Sequence, residues 1–152
     1  MDNRKLLNEL LVELFNYILL LEERNLKVHG LKKLSITEIH IIEAIHKVKV
    51  PSMTEVAQKL MVTVGTLSTS VNRLIQKGFV TSRRSEQDRR VVLLSLTQKG
   101  EEALKIHDDF HEKMIDNILE NTKFNEDELL INSLQKLMDF FKSISTVEGE
   151  LK

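Results

Sequence analysis

Residues 62–97 have the pattern of a helix followed directly by a basic hairpin, and this order limits the folds open to the chain. Thr63 is a good N-cap, and apolar residues recur after it at helical spacing, so an amphipathic helix is predicted to begin here. Its apolar stripe consists of Val64, Leu67, Val71, Leu74 and Ile75. After Gly78, a candidate C-cap, residues 79–84 and 91–96 predict two strands joined by a polar loop.

The helix face opposite this stripe is polar but carries almost no charge. In a chain that is 30% charged, a solvated face would ordinarily carry Glu and Lys. Short hydroxyl and amide side chains instead allow a helix to lie deep in a major groove and bond to base edges or phosphates. The alternative is an ordinary polar surface helix. The candidate nucleic-acid contacts on this helix are Thr63, Gly65, Thr66, Ser68, Thr69, Asn72 and Arg73.

Positive charge is concentrated around the hairpin. Residues 73–90 carry six cations against two acids, a net charge of +4, whereas the whole chain has a net charge of −1. Residues 101–152 carry thirteen acids against six lysines, a net charge of −7. Such a local excess is typical of a phosphate-binding surface. The candidate contacts in the hairpin are Arg83, Arg84, Asp88, Arg89 and Arg90.

The hairpin resembles the wing of MarR-type winged helix–turn–helix regulators. The resemblance rests on Asp88-Arg89-Arg90, the apolar strand at residues 91–96 and the sequence Leu96-Thr97-x-x-Gly100. It covers essentially the whole chain and implies a mostly α fold with a two-stranded β-wing and six helices. It also implies that Asp88 orients Arg90 for insertion into the minor groove. A narrow minor groove concentrates negative potential, and a braced guanidinium loses less entropy on binding.

Capping boxes and apolar repeats predict the remaining helices. Ser35-x-x-Glu38 and Ser52-x-x-Glu55 each predict a helix start. The other predicted helices cover about residues 3–28, 97–121 and 125–145, and the third helix is expected to end near residue 61. The turn between the third and fourth helices, Met61-Val62, lacks the glycine often found there.

The first, fifth and sixth helices carry more apolar surface than a small winged domain can cover. A second copy of the chain is the simplest partner, and a two-fold dimer would read a pseudo-palindromic operator in double-stranded DNA. The alternative is that these helices pack on one another within one chain. We therefore expect a single domain over residues 1–152, with dimerisation helices at 1–30 and 98–147 and a DNA-binding region at 35–97.

Several classes of protein are excluded by what the sequence lacks. It contains no cysteine, which excludes disulfides, thiolate metal sites and a catalytic thiol. It has no glycine-rich phosphate loop, nucleophile elbow or framed carboxylate pair, so we expect neither an enzyme nor a required cofactor. It has no signal peptide and no apolar run near the ~18 residues that a membrane span needs. We expect a cytoplasmic protein without membrane contact.

Residues 22–26, 60–66 and 85–92 resemble one branch of the family, the fatty-acid-synthesis repressors of Gram-positive bacteria. This resemblance implies a repressor whose corepressor is a long-chain acyl group on acyl carrier protein. A fatty chain needs a dry aliphatic crevice, which we expect between the first, second and fifth helices near the dimer axis. Its candidate walls are Leu14, Ile18, Leu21, Ile42, Ile45, Phe110 and Met114.

A zinc-responsive regulator is the alternative. His107 and His111 lie four residues apart, a spacing that suits a tetrahedral metal, and the pattern resembles a zinc-sensing branch of the family. The ligands would be Glu22 or Glu23, His40, His107 and His111. The chain departs from that branch at its second site, because it lacks cysteine and has Ile39 where an acidic ligand is expected. We therefore interpret the histidines as polar rim or dimer contacts in preference to metal ligands. A second alternative is a helical protein-interaction module without DNA binding.

Overall fold

Six α-helices and one β-hairpin make up the chain in the computed structural model, which describes residues 2–145. The helices are α1 (Asn3–Val28), α2 (Ile36–Lys47), α3 (Met53–Leu60), α4 (Val64–Gln76), α5 (Gln98–Asn121) and α6 (Glu128–Ser145). The strands are β1 (Val80–Arg84) and β2 (Val92–Leu96). This order confirms the predicted mostly α fold with a two-stranded wing. The outermost residues of the predicted ranges, 1 and 146–152, lie outside the described residues.

The chain divides into two compact units within α5. The first unit ends at Phe110 and the second begins at His111. The single domain predicted for residues 1–152 stays a prediction. None of the helices in the described residues is long and apolar enough to cross a membrane.

Serine and threonine side chains cap the helices of the first unit as the sequence predicts. Ser35 Oγ accepts a hydrogen bond from the Glu38 amide, and Ser52 Oγ accepts one from the Glu55 amide, both at 3.1 Å. Thr63 Oγ1 accepts one from the Thr66 amide at 3.2 Å. Each bond satisfies one of the amides that a helix start leaves without an intrahelical partner. These local bonds therefore fix where α2, α3 and α4 begin.

The core of the first unit lies between α2, α3, α4 and the hairpin. Apolar side chains from all four are at most 1% exposed: Ile39, Ile42, Val56, Ala57, Leu67, Val71, Leu74, Val80 and Leu94. The strands pair antiparallel, with Val80 opposite Leu96 and Arg84 opposite Val92. The Leu94 amide also donates to the Pro51 carbonyl at 2.8 Å, which attaches the hairpin to the start of α3. The middle of β2 is thus held against the start of α3.

A left-handed residue forms the turn between α3 and α4. Met61 caps α3 with φ 57° and ψ 41°, a conformation that costs a non-glycine residue about 1–2 kcal/mol. Its side chain is exposed, so the strain is that of the backbone and not of packing. The turn that lacks the expected glycine therefore keeps the conformation that glycine favours.

Close contact between backbones fixes the start of α5. Thr97 Oγ1 donates to the Gly78 carbonyl at 2.6 Å and accepts from the Gly100 amide at 3.1 Å. A Cβ atom added at Gly100 would lie 2.2 Å from the Phe79 carbonyl oxygen. The Thr97-x-x-Gly100 sequence is thus a packing requirement, because it lets the first turn of α5 lie directly on the end of the α4–β1 turn.

The start of α6 differs from the prediction by three residues. A short 3-10 helix, Phe124–Glu126, occupies the place where the sixth helix was expected to begin, and α6 starts at Glu128. Asp127 Oδ1 accepts from the Leu130 amide at 3.0 Å and so acts as the N-cap of α6. Apolar spacing alone did not reveal the boundary, since the cap and not the stripe determines it.

Candidate nucleic-acid interface

The polar face of α4 is exposed as predicted. Leu67, Val71 and Leu74 are buried in the core. The predicted contacts on the other face are exposed, namely Thr63, Gly65, Thr66, Thr69, Asn72 and Arg73, while Ser68 is half-buried. Val64, which was assigned to the apolar stripe, is 46% exposed because it lies on the first turn beyond the core. The helix therefore presents small hydroxyls, the amides of Asn72 and Gln76 and one guanidinium to solvent.

Hydrogen bonds order the three threonines on this face. Thr63 Oγ1 donates to Thr66 Oγ1 at 2.9 Å while it caps the helix. Thr69 Oγ1 donates to the Gly65 carbonyl one turn earlier, at 3.2 Å. Side chains held in this way retain acceptor lone pairs for a partner. They also lose little rotamer entropy when they bind one.

The hairpin loop contains the predicted pair of Asp88 and Arg90, and the Arg90 guanidinium donates to both carboxylate oxygens of Asp88. Arg90 Nε donates to Asp88 Oδ1 and Arg90 Nη2 donates to Asp88 Oδ2, both at 3.1 Å. The Arg90 amide donates to the same Oδ1 atom at 3.1 Å. These bonds from the side chain and backbone of Arg90 hold the pKa of the Asp88 carboxyl below its usual value. The Arg90 side chain is 91% exposed, so a braced guanidinium extends into solvent.

The other cations near the hairpin do not have equal roles. Arg84 Nη1 donates to the Arg89 carbonyl at 2.8 Å, so Arg84 braces the loop from its own base. Arg83 and Arg89 are exposed. Lys77 Nζ instead donates to both carboxylate oxygens of Glu38, at 2.9 and 2.7 Å. Glu38 is buried, so this ion pair removes Lys77 from the positive surface that the charge count suggested.

Comparison with known proteins decides the family. A crystal structure of Streptococcus pneumoniae FabT in complex with DNA has a TM-score of 0.87 and 38% identity, over 93% of this chain and 99% of that one. ZitR of Lactococcus lactis subsp. cremoris, a transcriptional regulator, is 31% identical over 117 residues, 76% of each chain. The profile of the MarR family matches residues 34–92. The chain belongs to the MarR family.

A further relative is an HTH-type transcriptional regulator, BilQ of Clostridium symbiosum, which is 39% identical over 87 residues. That match covers 57% of this chain and 60% of BilQ, so it spans less than two thirds of the relative. The relatives are transcriptional regulators, and this chain is accordingly a MarR-type DNA-binding transcriptional regulator and not an enzyme.

Two histidine–carboxylate pairs connect helices within the first unit of this MarR fold. His40 Nε2 of α2 lies 2.6 Å from Glu22 Oε2 of α1, and His107 Nε2 of α5 lies 2.9 Å from Glu43 Oε2 of α2. The His40 and His107 rings meet edge to face, with their centroids 5.8 Å apart. His107 is 1% exposed, so its assignment to a polar rim was wrong.

The surroundings of these pairs distinguish the candidate metal ligands. Glu22 is buried beside His40, whereas Glu23 is exposed and pairs with Lys27 at 3.3 Å. Glu22 is therefore the better placed of the two glutamates. Burial tends to raise the pKa of the Glu43 carboxyl, but the bond and charge of Lys47 and the charge of His107 bring that pKa below its usual value. His111 lies on the turn of α5 that follows His107.

The seven residues predicted to line an acyl crevice differ widely in exposure. Ile42 and Ile45 are 0% and 3% exposed in the core, so they offer no surface to a ligand, and their assignment as crevice walls is corrected. Apolar spacing on α2 could not distinguish a core face from a ligand face. The α1 residues Leu14, Ile18 and Leu21 are exposed by 37–58%. Phe110 and Met114 of α5 are half-buried.

The ion pair between Glu38 and Lys77 was not predicted from the sequence. The two residues are 39 positions apart, and no local motif relates them. Glu38 was assigned only to a capping box, in which its carboxylate would return to the N-cap amide. The carboxylate instead binds Lys77, and Lys77 Nζ also donates to the Lys33 carbonyl at 2.7 Å. This cluster fixes the C-terminal end of α4 against α2 and the loop before it.

Proposed function

We propose that this chain is a sequence-specific repressor that binds a pseudo-palindromic operator as a homodimer. The observation that carries the proposal is the forked pair of Asp88 and Arg90 on a hairpin that directly follows the polar face of α4. A helix with short polar side chains suits the major groove, and a braced arginine suits the minor groove beside it. The DNA complex of the related FabT supports the same use of this fold.

The proposed contacts divide by the part of DNA that they would meet. Thr66, Thr69 and Asn72 would meet base edges, and Arg90 would enter the minor groove. The remaining proposed contacts would bind or approach the phosphate backbone: Thr63, Gly65, Ser68, Arg73, Arg83, Arg84 and Arg89. Asp88 would act through Arg90. Changes among the first group should alter sequence preference, whereas changes at Arg83 should mainly flatten the salt dependence.

Exposed apolar side chains support the homodimer. On α1, Leu7, Leu10, Leu14 and Phe15 are 48–61% exposed, and Ile18 is 37% exposed. On α6, described by itself, no residue is buried, and Leu129, Leu134, Met138 and Phe141 are 49–78% exposed. Contiguous apolar surface of this kind is uncommon on a monomer and marks an interface. A second copy is the occupant that family membership favours.

Selection from a random pool of double-stranded DNA tests the proposal and requires no operator sequence in advance. We expect enrichment of a site with two-fold symmetry, whose half-sites lie about one turn, or 10 base pairs, apart. A·T-rich sequence is expected where the two wings meet the minor groove. A pool that shows no enrichment after repeated rounds would favour a protein-interaction module instead.

We further propose that long-chain acyl carrier protein is the corepressor and that the controlled genes direct fatty acid synthesis. The resemblance of residues 22–26, 60–66 and 85–92 to that branch supports the proposal, as does the similarity to FabT. Exposed aliphatic side chains at Leu14, Ile18 and Leu21 suit a fatty chain. A ligand can act only if it favours one arrangement of the two reading helices over another.

Operator affinity measured with different carrier proteins tests the corepressor. Long-chain acyl carrier protein should raise affinity about tenfold, a coupling of about 1.4 kcal/mol, and short-chain or unacylated carrier should have much less effect. Leu21→Gln, at a predicted crevice residue that is not among those named for the dimer, should lose this response while basal DNA affinity is retained. Val12→Gln is the matched control, because Val12 is also an exposed apolar residue of α1 and is not assigned to the crevice. Equal affinity with and without the long-chain carrier would reject this corepressor and leave the DNA-binding proposal intact.

Zinc is the second candidate effector, and the contact between Glu22 and His40 is the observation that favours it. Tetrahedral zinc ligands at about 2.0–2.1 Å from the ion lie roughly 3.3 Å apart, so these two atoms would need to separate only slightly. Glu43 could then serve as the carboxylate that orients His107. If zinc is the effector, a chelator should change operator affinity, added zinc should restore it, and His40→Gln should respond to neither. No effect of the chelator would eliminate this candidate.

A further inference from the structure

A lysine-lined cleft of about 390 Å³ lies in the first unit, away from the hairpin loop in sequence. It is formed by the loop between α1 and α2, the C-terminal end of α4 and the first turn of α5. Four of its nine lining residues are lysines and none is acidic. We call it the lysine cleft, after Lys32, Lys33, Lys77 and Lys99.

One of these lysines is already neutralised. The ammonium group of Lys77 donates to the two Glu38 oxygens and to the Lys33 carbonyl, which uses its three donors. It therefore serves as a structural support of the cleft wall. The bond to Lys33 also fixes the backbone of the loop on which Lys32 and Lys33 lie.

The other three lysines of the cleft are not neutralised by an acidic partner among the described residues. Lys32 and Lys33 are exposed and form no ion pair among the residues that the structure describes. Lys99 Nζ donates to the Lys77 carbonyl at 2.9 Å and lies 4.5 Å from the centre of the Phe79 ring, which leaves two of its donors available. Three like charges in one concave site, in a chain whose net charge is −1, repel one another until an anion enters.

We propose that the lysine cleft binds a phosphate group, carried either by a small phosphorylated molecule or by the DNA backbone. Its volume is within the range of small-molecule sites. Lysine is a common point-charge ligand of phosphate. The buried Leu34 and Phe79 also line the cleft and provide an apolar part of its wall.

Calorimetric titration with inorganic pyrophosphate tests the first source. The double variant Lys32→Ala, Lys33→Ala should weaken pyrophosphate binding by roughly tenfold or more, because two of three charges are lost while the carbonyl that Lys77 binds is kept. Lys32→Arg, Lys33→Arg should stay within about twofold of the wild type, since it conserves charge. Lys113→Ala, Lys136→Ala removes the same charge from exposed positions on α5 and α6 and should leave pyrophosphate binding unchanged.

The salt dependence of DNA affinity tests the second source. If the phosphate belongs to DNA, the alanine double variant should reduce the slope of log affinity against log salt by about two per protomer. A loss of pyrophosphate binding with an unchanged slope assigns the site to a small molecule, and a reduced slope assigns it to the backbone. If the alanine variant matches the Lys113→Ala, Lys136→Ala control in both measurements, the proposal is wrong. The pyrophosphate measurement holds whether or not the proposed operator binding is correct.

Discussion

Gly100→Ala is expected to lower the free energy of unfolding by about 2–3 kcal/mol, the largest stability effect that we anticipate from adding one methyl group. The new Cβ would lie 2.2 Å from the Phe79 carbonyl oxygen and 3.3 Å from Leu96 Cβ. The Thr97 amide donates to that carbonyl oxygen at 3.0 Å, so the oxygen cannot move away without breaking this bond. Alanine gains about 1 kcal/mol of helix propensity over glycine, which offsets only part of the overlap.

Urea denaturation at one fixed protein concentration measures this effect, since the stability of a dimer depends on concentration. Gly65→Ala is the matched control, because it makes the same change inside a helix where no atom lies within 4 Å of the added Cβ. It should be neutral or stabilising by up to about 1 kcal/mol. An unfolding midpoint for Gly100→Ala equal to that of the wild type would contradict the close packing of α5 on the α4–β1 turn.

Arg90→Ala is expected to weaken operator binding by about 1–3 kcal/mol, or roughly 5- to 150-fold. Its guanidinium is almost fully exposed yet is held by two parallel bonds to Asp88. A minor-groove contact made by such a group should be lost entirely on truncation, and the preference for A·T-rich flanks should weaken with it. Fluorescence anisotropy on the selected operator measures the change. Arg24→Ala, which removes an exposed arginine of α1, is the control for net charge.

Asp88→Ala distinguishes bracing from simple charge. Removing an acid from a DNA-binding surface should strengthen binding if only net charge matters. If Asp88 acts by holding Arg90, binding should instead weaken, by less than in Arg90→Ala, because the freed guanidinium must lose rotamer entropy on binding. Stronger binding by Asp88→Ala would show that the pair has no role in presenting the arginine.

Local signals in the sequence predict the helices and the wing well. Each of the starts of α2, α3 and α4 depends on one hydroxyl and the amide three residues later, so the capping residues could be identified by reading along the chain. The pairing of Asp88 with Arg90 is equally local, since the two residues are two positions apart in the same loop. These features, set by neighbours in sequence, were therefore predicted correctly, whereas the start of α6, which its Asp127 cap also sets locally, was placed three residues too early.

Contacts between distant residues could not be predicted in this way. The apolar stripe of α2 indicates a buried face but not what covers it, so Ile45 was assigned to a ligand crevice although it is 3% exposed in the core. A tryptophan there would disrupt the core and not narrow a crevice. His107 is likewise buried, and its partner Glu43 is 64 positions away in the sequence. The lysine cleft forms only because the loop after α1 lies near the start of α5. Tertiary packing decides these features.

In the proposed complex, two copies of this chain read two half-sites on one face of DNA, and a change in half-site spacing tests this arrangement. Inserting about five base pairs, half a helical turn, at the centre of the selected operator places the half-sites on opposite faces without altering any base that the protein reads. We predict that affinity falls by roughly 100-fold or more, toward that for unrelated DNA, and that inserting about ten base pairs disturbs binding less. Unchanged affinity after the half-turn insertion would show that one dimer does not read both half-sites.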